Sequence, residues 1–212
     1  MTKNASYPFR NDSTEPVKSL TDVELTKFLE YFYRQDCSRK KNEARMRDRL
    51  VILLMLEAGM RVSEVLSLVV SDLHILGSPV NTITLRSEIT KTKTERSIPV
   101  SIRLHDTIQE MLLTFWQPNN YAPRTKAFAE PTTGKTLSKR RVEQIVETAG
   151  LLTIGRKVHP HMLRHTAGYR MSRIAPLPVV QRFLGHKSIT STQIYTQPSN
   201  QDMVDAVNKL NT

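Results

Sequence analysis

The residues best suited to chemistry lie between His159 and Tyr195. This segment begins His-Pro-His-Met-Leu-Arg-His and continues through Leu-Gly-His to Gln-Ile-Tyr-Thr. Its proline suits the first position of a helix, which places His161 and Arg164 three residues apart in the first turn. The unpaired N–H groups of a helix N-terminus attract anions. The segment therefore predicts an anion site, with a further imidazole, His186, and a phenol downstream.

The side chains in this segment suit a phosphodiester. Two arginines can neutralise its non-bridging oxygens without a metal ion, and Arg61, in Gly-Met-Arg-Val-Ser-Glu, is the second candidate. Histidines move protons near neutral pH, and a phenol becomes a nucleophile when its proton, with a pKa of about 10, is removed. A simpler interpretation pairs Arg61 with Glu57 or Glu64, because a buried arginine needs an anionic partner. Taken together, the residues predict metal-free phosphoryl transfer through a covalent intermediate.

The histidines also allow a metal site to be considered. His159, His161 and His165 have a spacing that could supply ligands, but no cysteine or carboxylate completes the set. Arg164 would also lie among them. His165 lies one position further round the helix and is expected to point inward as a structural residue. We therefore predict no metal and no cofactor.

Helical patterns predominate, and a period of two appears between residues 69 and 100. Two strands are predicted over residues 82–85 and 96–100, with a hairpin tip at residues 91–94, and Pro99 places the last strand at an edge. The fold class is mainly α with a small antiparallel β-sheet (α+β) of two or three strands. Helices are predicted from a Thr21 cap with Glu24 as its capping box, over 43–58, from a Ser63 cap, over 104–116, from a Ser138 cap to Gly150, from Pro160, and around Val179–Leu184.

The charge of the chain indicates a polyanionic partner. Thirty-one basic and twenty acidic residues give a formal charge of +11, which favours nucleic acid first and an acidic membrane surface second. Three cations in the first turn of a helix oppose its dipole and are better tolerated beside phosphates. The residues expected to contact DNA are Arg39, Lys40 and Lys41 in a basic connection, Lys93 on the hairpin, and Lys139, Arg140 and Arg141 at a helix start.

The compartment follows from what the sequence contains. Cys37 is the single cysteine and cannot form an internal disulfide, which fits a reducing compartment. No apolar run approaches the length of a membrane span, and the first residues do not have the apolar core of a signal peptide. We expect a cytoplasmic, DNA-associated protein without a membrane partner.

The motifs, in this order, resemble the catalytic domain of the tyrosine recombinases, the integrase family of site-specific DNA recombinases. The resemblance covers residues 20 to about 198. Its motifs are the first-arginine box at residues 59–64, the histidine-to-arginine box at residues 161–165, the box at Leu184-Gly185-His186, and Tyr195 at the family's usual distance after it.

The resemblance implies the roles of the site residues. Tyr195 attacks the scissile phosphate to give a 3′-phosphotyrosyl enzyme, and a 5′-hydroxyl then religates the DNA without ATP or metal. Arg61 and Arg164 clamp the phosphate. His161 assists proton transfer at the tyrosine, and His186 hydrogen-bonds the phosphate.

The resemblance also implies that a lysine of the hairpin is the general acid, which protonates the leaving 5′-oxygen. Lys91, eight residues before Pro99, matches this lysine by spacing, and Lys93 is the competing candidate.

The resemblance also implies partners and a domain plan. Residues 1–18 are expected to be a flexible arm, 19–198 the catalytic domain, and 199–212 a tail whose helix docks on a neighbouring protomer. The partner is double-stranded DNA with inverted-repeat sites, bound by a homo-tetramer that is weakly associated or monomeric without DNA. Most members carry a further N-terminal domain, so the chain is either a catalytic fragment or one of the short members.

Three functions remain open from the sequence. A recombinase for integration, excision or inversion is the leading one. A type IB topoisomerase shares the chemistry, and a DNA-binding regulator could keep the fold without cleaving.

Overall fold

The computed structural model describes residues 19–35, 38–90, 93–186 and 207–208. Its first helix, α1 (Asp22–Tyr33), begins with the predicted capping box: the Thr21 hydroxyl accepts from the Glu24 N–H at 3.2 Å, and the Thr21 N–H donates to the Glu24 carboxylate at 2.9 Å. The predicted apolar stripe faces the core and consists of Leu25, Phe28, Leu29 and Phe32.

The central helix, α2 (Arg39–Leu56), begins earlier than predicted. Arg39, Lys40 and Lys41 therefore form its first turn and are not part of a connection. An ion pair between Arg39 and Glu43 (2.8 Å), one turn apart, compensates part of the unfavourable charge there. All residues of its second half, 50–56, are buried, as their continuous apolar character predicted.

The short helix α3 (Val62–Ser67) is capped differently from the prediction. Ser63 lies inside the helix, and Arg61 occupies the N-cap position. The Glu64 carboxylate accepts a hydrogen bond from the Arg61 backbone N–H (2.9 Å) and so satisfies the helix start from within.

The described residues that follow form four short strands, arranged as two separate two-stranded antiparallel sheets instead of one sheet. β1 (His74–Ile75) pairs with β2 (Ser78–Pro79), and β3 (Thr82–Leu85) pairs with β4 (Arg96–Pro99). The register of the second sheet sets Leu85 opposite Arg96 and Thr82 opposite Pro99, which lies at a sheet edge as predicted.

Helices resume at α4 (Ile102–Met111), which continues into a π-helical turn, Leu112–Trp116. Helix α5 (Lys139–Ile154) starts at the predicted Ser138 cap, whose hydroxyl accepts from the Arg141 N–H (3.1 Å). It does not end at Gly150, however, but at Gly155. Gly150 is buried, and a Cβ there would lie 2.6 Å from a methyl carbon of Val158, so this glycine permits close packing of the following segment.

The last two described helices carry the predicted chemical residues. Helix α6 (Pro160–Ser172) has its proline at the first position, and α7 (Leu177–Leu184) ends at Gly185 in the left-handed conformation (φ +63°). In the core, α2 packs against α1, α3, α4 and α6, while α5 lies against α1 and α3. Among the described helices, none combines the length and apolar character that crossing a membrane requires.

The predicted terminal segments fall largely outside this description. Residues 1–18, the expected arm, lie outside the described residues, and so does residue 37, the single cysteine. Of the expected C-terminal segment at 199–212, only Val207 and Asn208 are described.

Candidate active site

Side chains from different elements meet at the C-terminal end of α7. The Leu184 carbonyl oxygen accepts hydrogen bonds from two guanidiniums, those of Arg96 and Arg164. Gly185 ends the helix in the left-handed conformation, and His186 is the next residue. The His186 backbone is fixed in turn by Gln181, whose carbonyl accepts from its N–H at 3.1 Å and whose side-chain amide donates to its carbonyl at 3.2 Å.

Arg164 is one of the most buried side chains in the protein, with 2% of the residue exposed. Its guanidinium also donates to the Gly59 carbonyl oxygen, at the turn that ends α2. Arg164 therefore connects the start of α6 to the ends of α2 and α7. His161, one turn earlier on α6, is exposed instead, so the two residues of the first turn differ sharply in burial.

A buried carboxylate, that of Glu64, pairs with Arg61 and Arg96. Glu64 is fully buried, and its two oxygens bond Arg61 Nη1 at 2.8 Å and Arg96 Nη2 at 3.0 Å. The ion pair with Glu64 that the sequence offered as a simpler interpretation of Arg61 therefore exists. It holds Arg61 beside the cluster, with 23% of its side chain exposed. Glu57, the other partner considered, pairs with Arg103.

The imidazoles experience the positive charge of this cluster. Burial, followed by the charges of Arg164, Arg61 and Arg96, lowers the pKa of His186 to about 4. Partial desolvation of the His161 ring, although the residue as a whole is exposed, and the charge of Arg164 likewise lower its pKa. Both imidazoles are therefore neutral at physiological pH, when one nitrogen of each ring donates and the other accepts.

His165 packs against His161 with its ring edge-on, at 4.3 Å between centroids and 80° between planes. It is half-buried, and the structural role expected of it stays a prediction. Among the residues that the structure describes, no three His, Cys, Asp or Glu side chains form a group that could hold a metal ion.

Two of the six predicted catalytic residues, Lys91 and Tyr195, lie outside the described residues. The structure brings the other four together: Arg61, His161, Arg164 and His186. Lys93, the competing lysine, is exposed on the segment between β3 and β4 with φ +51°, and its backbone N–H donates to the Thr90 carbonyl at 3.1 Å.

Six of the seven predicted DNA contacts lie at two helix starts. All six side chains are exposed: Arg39, Lys40 and Lys41 in the first turn of α2, and Lys139, Arg140 and Arg141 in the first turn of α5. No acidic residue accompanies either first turn.

Arg96 is the site residue that the sequence analysis missed. It points inward from β4 on the same face as the buried Ile98, opposite the exposed Ser97 and Pro99. The strand alternation contained the signal, because a charged residue at an inward position of a half-buried strand must find a buried partner.

Comparison with known proteins gives consistent matches. The family model described as the phage integrase family matches residues 18–202. The chain is 30% identical over 195 residues to tyrosine recombinase XerA of Pyrococcus furiosus, covering 92% of this chain and 62% of that protein. It is 33% identical over 151 residues to tyrosine recombinase XerC of Pseudomonas entomophila, covering 71% and 48% respectively. The chain thus spans about half to two thirds of these relatives' length.

Solved structures agree on the fold. The XerH recombinase bound to its difH substrate superimposes with a TM-score of 0.71 at 25% identity, over 96% of this chain and 57% of that one. A crystal structure of XerA recombinase superimposes with a TM-score of 0.73 at 21% identity, over 97% of this chain and 67% of that one.

Proposed function

Because the chain belongs to the phage integrase family, we propose that it is a site-specific DNA recombinase, which cleaves and rejoins strands through a 3′-phosphotyrosyl intermediate. The observation that carries the proposal is the cluster around Leu184. Two of its guanidiniums, those of Arg61 and Arg96, pair with the carboxylate of Glu64, and a third, that of Arg164, donates to the carbonyl oxygens of Gly59 and Leu184. A phosphodiester would be attracted to this concentration of positive charge. The XerH structure, which holds a DNA substrate before cleavage, supports a DNA ligand.

The arginines would act on the phosphate in different ways. Arg164 is buried and already bonded to two carbonyl oxygens, so its geometry is set before DNA arrives. Arg61 is partly exposed, and one edge of its guanidinium is held by Glu64. Because both guanidiniums are already held in place, they do not have to rearrange when charge develops on the phosphate oxygens.

The chemical step balances without ATP, a metal or another cofactor. The phenol oxygen of Tyr195 attacks phosphorus while neutral His161 accepts the phenol proton. The bond from phosphorus to the 5′-oxygen breaks, and Lys91, with Lys93 as the alternative, protonates that oxygen. His186 donates its imidazole N–H to a phosphate oxygen. Attack by the 5′-hydroxyl of a partner strand reverses the sequence and releases Tyr195.

The partners that we propose are double-stranded DNA with inverted-repeat sites and further copies of this chain. Four protomers would assemble on two duplexes and associate weakly without DNA, in the cytoplasm. The C-terminal segment would dock on a neighbour, with Met203, Val204, Val207 and Leu210 at helical spacing. A groove of about 660 Å³ supports this arrangement, because its lining includes Ile102 and Ile174, each 83% exposed, beside Phe183.

Covalent capture tests the proposal. A library of nicked duplexes with a randomised core is incubated with the full chain, and DNA that stays attached through denaturation is amplified until one site emerges. A suicide substrate with this site should form an adduct with the wild type and none with Tyr195→Phe, while DNA binding persists. Tyr169→Phe is the matched control, because Tyr169 is an exposed tyrosine on α6 and should leave the adduct unchanged.

Other outcomes would support the other functions. An adduct that persists in Tyr195→Phe contradicts the assigned nucleophile. Binding without any adduct supports a non-cleaving regulator. Relaxation of supercoiled plasmid without a preferred site supports a topoisomerase.

A further inference from the structure

Arg96 links parts of the site that are distant in sequence. Its side chain is 7% exposed and bonds Glu64 through Nη2 (3.0 Å) and the Leu184 carbonyl through Nη1. Glu64 also holds Arg61, and Leu184 also accepts from Arg164. The Arg96 guanidinium therefore joins the ion pair between Arg61 and Glu64 to the hydrogen bond between Arg164 and Leu184.

The packing around Arg96 is equally specific. Gly185 lies against it, and a Cβ at that position would come within 2.4 Å of Nη1 and 3.0 Å of Cδ. Arg96 thus contacts the glycine that directly precedes His186.

Stability alone does not explain an arginine at this position. Its Nε is buried and has no hydrogen-bond partner in the described part of the chain, and burial lowers the pKa of the guanidinium. An apolar side chain of similar volume commonly serves a buried position at least as well as an ion pair. The two hydrogen bonds that Arg96 makes both go to acceptors shared with other site arginines: Glu64 also bonds Arg61, and the Leu184 carbonyl also bonds Arg164.

We propose that Arg96 is a positioning residue for strand cleavage: it sets the Leu184–His186 turn against Arg61 and Arg164 without touching the DNA itself. The inference rests on the proposed function. A guanidinium is needed because its planar fork reaches two acceptors at once, which a lysine ammonium cannot do with the same geometry.

The test separates positioning from folding. Single-turnover adduct formation is measured on the captured site at saturating DNA for Arg96→Met and Arg96→Lys. Affinity is measured by anisotropy in a Tyr195→Phe background, and folding by urea titration. Arg49→Met is the matched control, since Arg49 is also a buried arginine with one carboxylate partner, Glu110, between α2 and α4.

We expect Arg96→Met to slow cleavage about 100-fold and Arg96→Lys about tenfold, with DNA affinity within about threefold of wild type. Arg49→Met should lower stability and leave the cleavage rate unchanged. In addition, the imidazole NMR signal of His186 should move in Arg96→Met and not in Arg49→Met. The pKa of His186 should rise in Arg96→Met, because one of the charges that lower it is gone.

Cleavage by both Arg96 variants at the wild-type rate would overturn the proposal. So would a rate loss matched by the loss of folded protein, with an unmoved His186 signal. If Arg96→Met does not fold, Arg96→Lys decides by the same criteria. If the wild type itself forms no adduct, the proposed function fails, and the His186 signal still tests whether Arg96 positions that turn.

Discussion

Arg96 and Arg164 donate to the same acceptor, the carbonyl oxygen of Leu184. The first comes from β4, the second from α6, and the acceptor is the last residue of α7. A carbonyl oxygen has two lone pairs, so both donors can be satisfied at once. Three elements thus meet at one peptide group, and a displacement of the α7 terminus would disturb both guanidiniums together.

Gly185 is the position where this arrangement can be tested with the smallest change. Gly185→Ala and Gly155→Ala both put a Cβ on a helix-ending residue in the left-handed conformation, at φ +63° and +72°. Each should cost about 1–2 kcal/mol for backbone strain. A Cβ at Gly155 meets nothing within 4 Å, whereas one at Gly185 collides with Arg96. We therefore expect Gly185→Ala to be the more destabilising in urea titrations and alone to slow adduct formation.

The comparison isolates the contact with Arg96, because the Gly185→Ala and Gly155→Ala variants share the same kind of backbone strain. Equal losses of stability with equal cleavage rates would mean that the contact between Gly185 and Arg96 has no consequence for the site.

Glu64→Gln should destabilise the protein strongly and impair cleavage. The substitution keeps the shape and removes the one charge that faces two guanidiniums, those of Arg61 and Arg96. Breaking a buried pair in this way costs about 3–5 kcal/mol, and we expect at least 3 kcal/mol by urea titration together with a loss of cleavage.

Asp72→Asn provides the matched control for this substitution. Asp72 also accepts from a backbone N–H three residues earlier, that of Val69, and also pairs with an arginine. That partner, Arg86, is substantially exposed, so the expected loss is about 1 kcal/mol. A smaller effect of Glu64→Gln than of Asp72→Asn would contradict the assigned importance of the cluster.

The sequence predicted what local periodicity determines. The fold class is confirmed, and α1, the π-extended α4 and the β3–β4 hairpin lie where apolar spacing placed them. The order of the motifs also identified the family correctly.

The misses have two physical origins. Arg96 reaches an acceptor 88 residues away, and Gly150 packs against a segment that follows the helix, so neither role is visible in local spacing. The early start of α2 was missed because three cations are poor helix-start signals. The catalytic roles of all six site residues stay predictions, and two of them, Lys91 and Tyr195, lie outside the described residues.

The ion pair between Glu24 and Arg156 should make stability depend on pH. Two hydrogen bonds, of 2.7 and 3.0 Å, join them and tie the start of α1 to the segment before α6. Bonding to Arg156 is the main cause that lowers the pKa of Glu24 to about 2 from 4.5. Because the folded-state pKa is depressed, the stabilisation is complete above pH 4.5 and is lost as the pH falls towards 2.

Urea titrations at pH 6 and pH 3 measure this contribution. The stability difference between wild type and Glu24→Gln should be about 1–2 kcal/mol larger at pH 6 than at pH 3, allowing for partial solvent screening. Glu147→Gln, which removes an exposed pair with Lys157, should show little such change. A difference for Glu24→Gln that does not vary with pH would exclude the ion pair as its source.

The salt dependence of DNA affinity should show whether the cations at the start of α5 contact the DNA. Arg140 is exposed in a first turn that has no acidic residue, so its charge opposes the helix dipole in the free protein. If it contacts a phosphate, Arg140→Gln should weaken DNA binding at low salt and reduce the slope of log affinity against log salt by about one. The same substitution should stabilise the free protein by up to about 1 kcal/mol, because an unfavourable charge is removed.

Lys157→Gln is the control for Arg140→Gln, since Lys157 is exposed but pairs with Glu147 at 2.9 Å. We expect no change of slope in this variant. Equal slopes for Arg140→Gln and wild type, measured by anisotropy between 50 and 200 mM salt in the Tyr195→Phe background, would place the DNA away from the α5 terminus.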